Sequence, residues 1–207
     1  MKRKMQRFVT VSTAAALSLA MAVPGSAAYQ PEQKFQDVSR SASYYEDVMD
    51  ANYYGLMAGV SGKTFDTEST ITRAMWVTML YKMAGQPAVQ SKDTFTDVKT
   101  GDWFAQAATW AVEQGITSGT SSTTFSPDAI ITRGQTVMFL YRNAGSPASG
   151  TGSAFDDVKI GDYYSSAVRW AVANGITSGT SATTFSPSAS CTRAQIVTFL
   201  YRTFAGW

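Results

Sequence analysis

The block Phe35-Gln36-Asp37-Val38 returns as Phe95-Thr96-Asp97-Val98 and again as Phe155-Asp156-Asp157-Val158, sixty residues apart each time. Gly55, Gly115 and Gly175 keep the same step, as do Gly59, Gly119 and Gly179, then Phe65, Phe125 and Phe185, and finally Thr72-Arg73, Thr132-Arg133 and Thr192-Arg193. Register held without a gap over so many positions means three copies of one structural unit. Polar stretches rich in Gly, Pro and Ser follow Gly85 and Gly145 and read as linkers. The repeats are therefore expected at 35–87, 95–147 and 155–207, and no further folded module is expected after the third. A unit of this size buries too little surface to be stable alone, so the three copies are expected to share one core.

Each copy reads as helix, loop, helix, making the chain mainly α. In the second copy, Phe104, Ala107, Ala108, Ala111 and Val112 fall at helical spacing after Asp102-Trp103. Gly115 stands where a left-handed C-terminal cap is wanted. A loop with Gly119 as a turn and Phe125 as an apolar anchor leads to a second helix that begins after Thr132. Gly145 and Pro147 end it.

The N-terminus carries Lys2, Arg3, Lys4 and Arg7, then an uncharged stretch from Phe8 to Val23, then Pro24-Gly25 and the small residues Ser26-Ala27-Ala28. This is the pattern of a secretory signal over 1–28, cleaved near Tyr29, with a short linker over 29–34. A membrane anchor is the alternative, but the apolar stretch is short for a span. The mature chain is expected to be exported and not integral to the membrane. The signal holds four basic residues and no acids, so its loss turns the formal net charge of +2 into −2. No basic excess remains for nucleic acid. There is no histidine and one cysteine. That removes an intramolecular disulfide, the commonest general base and the commonest nitrogen ligand of transition metals. No metal or other cofactor is expected.

The Thr-Arg steps carry most of the functional argument. Thr132 to Gln135 and Thr192 to Gln195 fit a capping box, and Met75 leaves half of one in the first copy. Threonine and glutamine thus have a structural purpose. Arg73, Arg133 and Arg193 occupy the first helical turn, where the helix dipole disfavours a cation by roughly 0.3–1 kcal/mol. Free N–H groups, a positive helix end and a guanidinium together make a site for a carboxylate or phosphate. An arginine bridging to a neighbouring repeat is the competing reading, and the chemistry leaves both open. From the dipole alone, Arg133→Ala is expected to leave the fold intact.

Phe-x-Asp-Val, the aromatic Trp103 eight positions after Phe95, the Gly-Ile…Gly loop, Phe-x-Pro and Ile-Thr-Arg together resemble the S-layer homology domain, from Phe35 to the C-terminus. The resemblance implies three repeats folded as a pseudo-threefold spindle, with the second helices clustered into a bundle. Grooves between repeats would bind a secondary cell-wall polysaccharide, often bearing pyruvate ketals. The family's Thr-Arg-Ala-Glu maps its arginine onto Arg73, Arg133 and Arg193. Here Met75, Gln135 and Gln195 replace the glutamate. The first copy departs further, with Ser43 in the place of Trp103 and Tyr163, and Thr67 in the place of Pro127 and Pro187. Its groove is expected to be weak, and Arg73 to matter less than the other two arginines.

Other candidate ligand residues have structural alternatives. Asp37, Asp97 and Asp157 can accept sugar hydroxyls or cap a turn, and the turn is favoured. Trp103 and Tyr163 can stack on a sugar ring. Trp110 and Trp170, seven residues later, belong to the core. Gly59, Gly119 and Gly179 complete the candidate set. Cys191 aligns with Ile71 and Ile131 and reads as a small buried apolar residue. The expected protein is a non-enzymatic, cell-surface wall-binding module of a bacterium, held non-covalently on an anionic polysaccharide. A self-assembling surface-layer protein is the alternative, with self-association as its mark. A two-carboxylate wall-glycan hydrolase is less favoured, because no carboxylate pair recurs in a distinctive setting.

Overall fold

The structure, a computed structural model, describes residues 33–90, 94–151 and 155–204; the expected signal segment lies outside them. Six helices follow in order: α1 (Tyr45–Tyr53), α2 (Arg73–Met83), α3 (Ala105–Glu113), α4 (Arg133–Asn143), α5 (Ser165–Ala173) and α6 (Arg193–Phe204). The chain is mainly α, with two helices per repeat. No helix among the described residues is long and apolar enough to cross a membrane.

The second helix of each repeat starts as the threonine dictates. Thr132 Oγ1 accepts from Gln135 N at 3.3 Å, and Gln135 Oε1 accepts from Thr132 N at 3.3 Å. Thr192 and Gln195 make the same pair. Thr72 caps Met75 N, and the methionine returns nothing. The first helices start later than periodicity implies. Lys99 N donates to Asp102 Oδ2 at 2.7 Å and Ala105 N donates to Asp102 O at 3.0 Å, so Asp102, Trp103 and Phe104 form a turn and α3 begins at Ala105. Gly115 ends this helix with φ +68°, the left-handed conformation expected of it.

The helices pair between repeats. α2 packs on α3, α4 on α5, and α6 returns to α1, so the three hairpins close into a ring. The expected bundle of second helices is present in part: α4 touches α6, but each second helix packs chiefly on a first helix. Isolated antiparallel bridges repeat the ring at the helix starts, Thr72 with Ile130, Thr132 with Ser190 and Thr70 with Thr192. Aromatic contacts mark two of the three seams. Tyr81 packs on Trp110 and Tyr141 on Trp170, each at 5.7 Å between ring centres. The same tyrosines pin the linkers by donating to Pro87 O and Pro147 O.

Within each repeat the aspartate of Phe-x-Asp-Val closes the long loop. Asp97 takes Phe125 N at 2.8 Å on one oxygen and Ser126 N at 2.7 Å on the other. Asp37 and Asp157 do the same at Phe65-Asp66 and Phe185-Ser186. Asp66, Ser126 and Ser186 have φ of 63°, 57° and 59°, a conformation unfavourable for non-glycine residues, and the carboxylate clamp holds it. Phe35, Phe65, Phe125, Phe185, Ile71, Ile131 and Cys191 are buried in one continuous core.

Because every hairpin joins two repeats, residues 95–147 alone lose the partners of both α3 and α4. We expect that fragment to show no cooperative thermal transition by circular dichroism, and residues 29–207 to melt in one step. A sharp transition in the isolated fragment would refute the shared core.

Candidate functional site

The three arginines point across the repeat boundaries. Arg73 Nε donates to Phe125 O, Arg133 Nε to Phe185 O and Arg193 Nε to Phe65 O, all at 2.9 Å. Their guanidinium groups lie over the same phenylalanine rings, at 5.0, 4.9 and 4.6 Å from the centres. Arg73 and Arg133 also face Phe139 and Phe199; Met79 holds that register position in the first copy. The side chains are 2%, 3% and 5% exposed. Burial pushes all three below the ordinary arginine value. Nearby Asp97, Asp157 and Asp37 act in the opposite direction on Arg73, Arg133 and Arg193 respectively.

The helix N-termini are not open anion sites. Arg133 N donates to Ala189 O at 2.8 Å and Gly134 N to Pro187 O at 2.9 Å, and the other two helices repeat the arrangement with Ala129 and Pro127, and with Ser69 and Thr67. The neighbouring backbone fills the donors that an anion would use. What remains is on the guanidinium. Arg193 Nη2 donates to Ala58 O. Arg73 Nη2 and Arg133 Nη2 are buried and without a protein partner.

A groove of about 510 Å³ runs beside Arg133. Its walls are the Thr177–Thr180 loop and Gln195 and Arg202 of the third repeat, with Ser43, Tyr44 and Glu68 of the first. One groove thus draws on all three repeats. Its counterpart one register earlier joins Arg73 to α4 and to Tyr163. Tyr163 interacts electrostatically with both Arg73 and Arg142. Gly134 leaves room there for Tyr164, whose ring carbon would lie 3.0 Å from an added Cβ. The third counterpart would bring Arg193, Met75, Lys82 and Trp103 together by register.

The expected site residues divide accordingly. Trp103 and Tyr163 are 67% and 60% exposed, whereas Trp110 and Trp170 are buried. Asp37, Asp97 and Asp157 spend both carboxylate oxygens on loop backbone. Gly59, Gly119 and Gly179 sit under Phe35, Phe95 and Phe155, and a Cβ there would collide with those rings and with loop carbonyls. Gly179 also lines the groove beside Arg133. Cys191 is buried, and burial pushes its thiol up to about 11. Arg142 and Arg202 were not among the expected residues. Both are basic residues in the last turn of a second helix, where a cation is ordinarily explained by the dipole.

The model of the S-layer homology domain matches residues 34–74, 94–137 and 154–197. The chain belongs to the S-layer homology domain family. As such it is a non-catalytic module that anchors to the cell wall, and its place is the cell surface. The chain is 28% identical over 207 residues to the surface-layer 125 kDa protein of Lysinibacillus sphaericus, covering 98% of this chain and 17% of that protein. It is 29% identical over 180 residues to the cellulosome-anchoring protein of Acetivibrio thermocellus, covering 83% and 39%. Exoglucanase XynX of the same organism is 28% identical over 152 residues, covering 70% and 14%. This chain spans well under half the length of each. The shared S-layer homology segment recurs among relatives with unrelated names, so it does not track one activity.

Two outcomes follow from the S-layer homology geometry. Arg133→Ala leaves the Phe185 carbonyl unpaired and strips a cation from two ring faces. It is expected to destabilise the domain by about 2–4 kcal/mol in urea unfolding, outweighing the dipole relief of about 0.3–1 kcal/mol. Arg133→Lys should recover little, since an ammonium does not lie flat between rings. The second outcome concerns pH. Burial disfavours the charge on Asp97, but hydrogen bonds from Phe125 N and Ser126 N prevail and hold its carboxyl below the usual range. Its contribution to stability is full above the unfolded-state value and is lost as pH falls through the lower folded value. Amide protection at Phe125 and Ser126, taken relative to the intrinsic exchange rate at each pH, should fall over that acid window. Asp97→Asn should show the lost protection already at neutral pH.

Proposed function

We propose that the grooves between repeats hold an anionic secondary cell-wall polysaccharide, with its carboxylates, such as those of pyruvate ketals, turned toward the arginines. The observation that carries this reading is the unpaired Nη2 of Arg73 and of Arg133. A buried donor without a partner calls for an acceptor, and a carboxylate is the matching one for a guanidinium. Exposed Tyr163 offers a flat face for a sugar ring, and Arg142 adds a second positive charge.

The principal groove in this reading is the one made by Arg73, Tyr163, Gln135 and Arg142. It escapes the substitutions of the first copy, which fall elsewhere. Ser43 enters the groove of Arg133, and Met75 belongs by register to the groove of Arg193. Arg73 therefore gains importance relative to Arg193, whose Nη2 is already engaged.

The test is co-sedimentation of residues 29–207 with purified wall, before and after mild hydrolysis that strips the non-peptidoglycan polymer. Binding should vanish with the polymer. Tyr163→Ala combined with Arg142→Ala should keep the circular dichroism spectrum and weaken binding by about tenfold or more, the loss of roughly 1.4 kcal/mol. Undiminished sedimentation of that variant rules out this groove, and sedimentation that survives stripping rules out the polymer.

A further inference from the structure

The three helix seams are internal controls for one another, and one of them differs. Where α2 meets α3 and α4 meets α5, a buried tryptophan fills the interface against a tyrosine. Where α6 meets α1, the tyrosine is present as Tyr201, but Asp50 holds the register position of Trp110 and Trp170. One turn earlier, Asp47 stands where the others have Ala107 and Ala167. The missing indole leaves a cavity of about 380 Å³ lined by Asp47, Asp50, Tyr54, Leu56, Tyr201 and Phe204, among others.

The rim has changed in step. Tyr54 replaces Gln114 and Asn174, and Phe204 replaces Ala84 and Ala144. This seam has therefore exchanged a filled apolar interface for a hollow with aromatic walls and two carboxylates. Asp47 is 7% exposed and accepts from Thr198 Oγ1 at 2.6 Å; Arg202 lies within electrostatic reach of it. The charged neighbours acting on Asp50 are Glu46 and Asp47, both acidic. Burial, then these acids, push the Asp50 carboxyl up, and burial, then Asp50, Asp47 and Glu46, push up the Tyr201 hydroxyl. The hollow thus sets two carboxylates, only one of them with Arg202 acting on it, beside aromatic faces, the complement of an ammonium group, and its size lies at the small end of ligand pockets.

We propose that this cavity binds a small organic cation, an ammonium group on an apolar body. The site lies apart from the inter-repeat grooves and does not rest on the polysaccharide reading. The probe is 2-phenylethylammonium, with neutral 2-phenylethanol as its control, titrated into residues 29–207 and followed by amide shifts in α1 and α6. The amine should give saturable shifts around Asp50, Val197 and Leu200, and bind about tenfold or more tighter than the alcohol. Asp50→Asn should weaken the amine by about tenfold while leaving the alcohol unchanged. Asp50→Trp should abolish both and raise the melting temperature, by restoring the packing of the other two seams. Equal binding of amine and alcohol overturns the proposal, as does the absence of saturable shifts, or shifts that persist in Asp50→Trp. Shifts that arise only in a chain ending at Phe204 would mean that residues 205–207 occupy the cavity, which also overturns it.

Discussion

Each second helix begins inside its neighbour. Its first two N–H groups donate to the loop carbonyls of another repeat, and its arginine donates to a third carbonyl and covers that repeat's phenylalanine. This one contact explains why a cation stands at the positive end of a helix three times over. The dipole penalty is small, while the guanidinium meets a carbonyl and one or two ring faces in a dry setting. It also explains the Asp clamp. The loop that supplies the carbonyls turns through a residue of positive φ, and the carboxylate holds the loop in the position the neighbour needs.

Because the helices and arginines cross the repeat boundaries, each groove is a mosaic. The groove beside Arg133 combines that residue with a loop and helix of the third repeat and a turn of the first. A defect in one copy is consequently spread over several grooves. Ser43 and Met75 belong to one repeat, yet Ser43 lines the groove of Arg133 and Met75 falls by register to that of Arg193, so a groove can be complete although no repeat is. Counting intact repeats is therefore a poor guide to counting intact grooves.

Much of the fold was legible in the repeats. The sixty-residue step set the units, Thr-x-x-Gln set the starts of α4 and α6, and Gly115 set the end of α3. Trp103 and Trp110 stand seven residues apart and could share one helix face, so their different exposure became clear only once α3 was seen to start at Ala105, leaving Trp103 in the preceding turn. What the sequence withheld was connectivity in space. Periodicity shows that a helix has an apolar face and does not say which helix covers it, so the swap of partners between repeats stayed hidden. The free N–H groups expected at Arg133 failed for the same reason, since the carbonyl of Ala189 that takes one lies 56 positions away. Arg142 and Arg202 were overlooked because a basic residue in a last turn already has an explanation. Asp50 was visible as a break in register with Trp110 and Trp170, but its meaning depended on knowing that the tryptophans fill a seam.

That break falls at the seam least able to bear it. α2 and α3 are consecutive in the chain, as are α4 and α5, so a linker keeps each pair close when packing loosens. α6 and α1 are the last and first helices and meet only by closing the ring. Exchanging a buried tryptophan for a carboxylate removes packing of a kind usually worth about 3–5 kcal/mol, and here it does so where chain entropy opposes contact most strongly. Ties across this seam include the Arg193 and Ala194 backbone bonds to Ser69 O and Thr67 O, the Arg193 side-chain bonds to Phe65 and Ala58, the Thr198 bond to Asp47 and the bridge of Thr70 with Thr192. A molecule that fills the hollow at Asp50 and binds only the folded domain raises the domain's stability by mass action. α6 lines both the hollow at Asp50, through Val197, Leu200 and Tyr201, and the groove beside Arg133, through Gln195, Thr198 and Arg202, so the helix that closes the ring is shared by the two cavities.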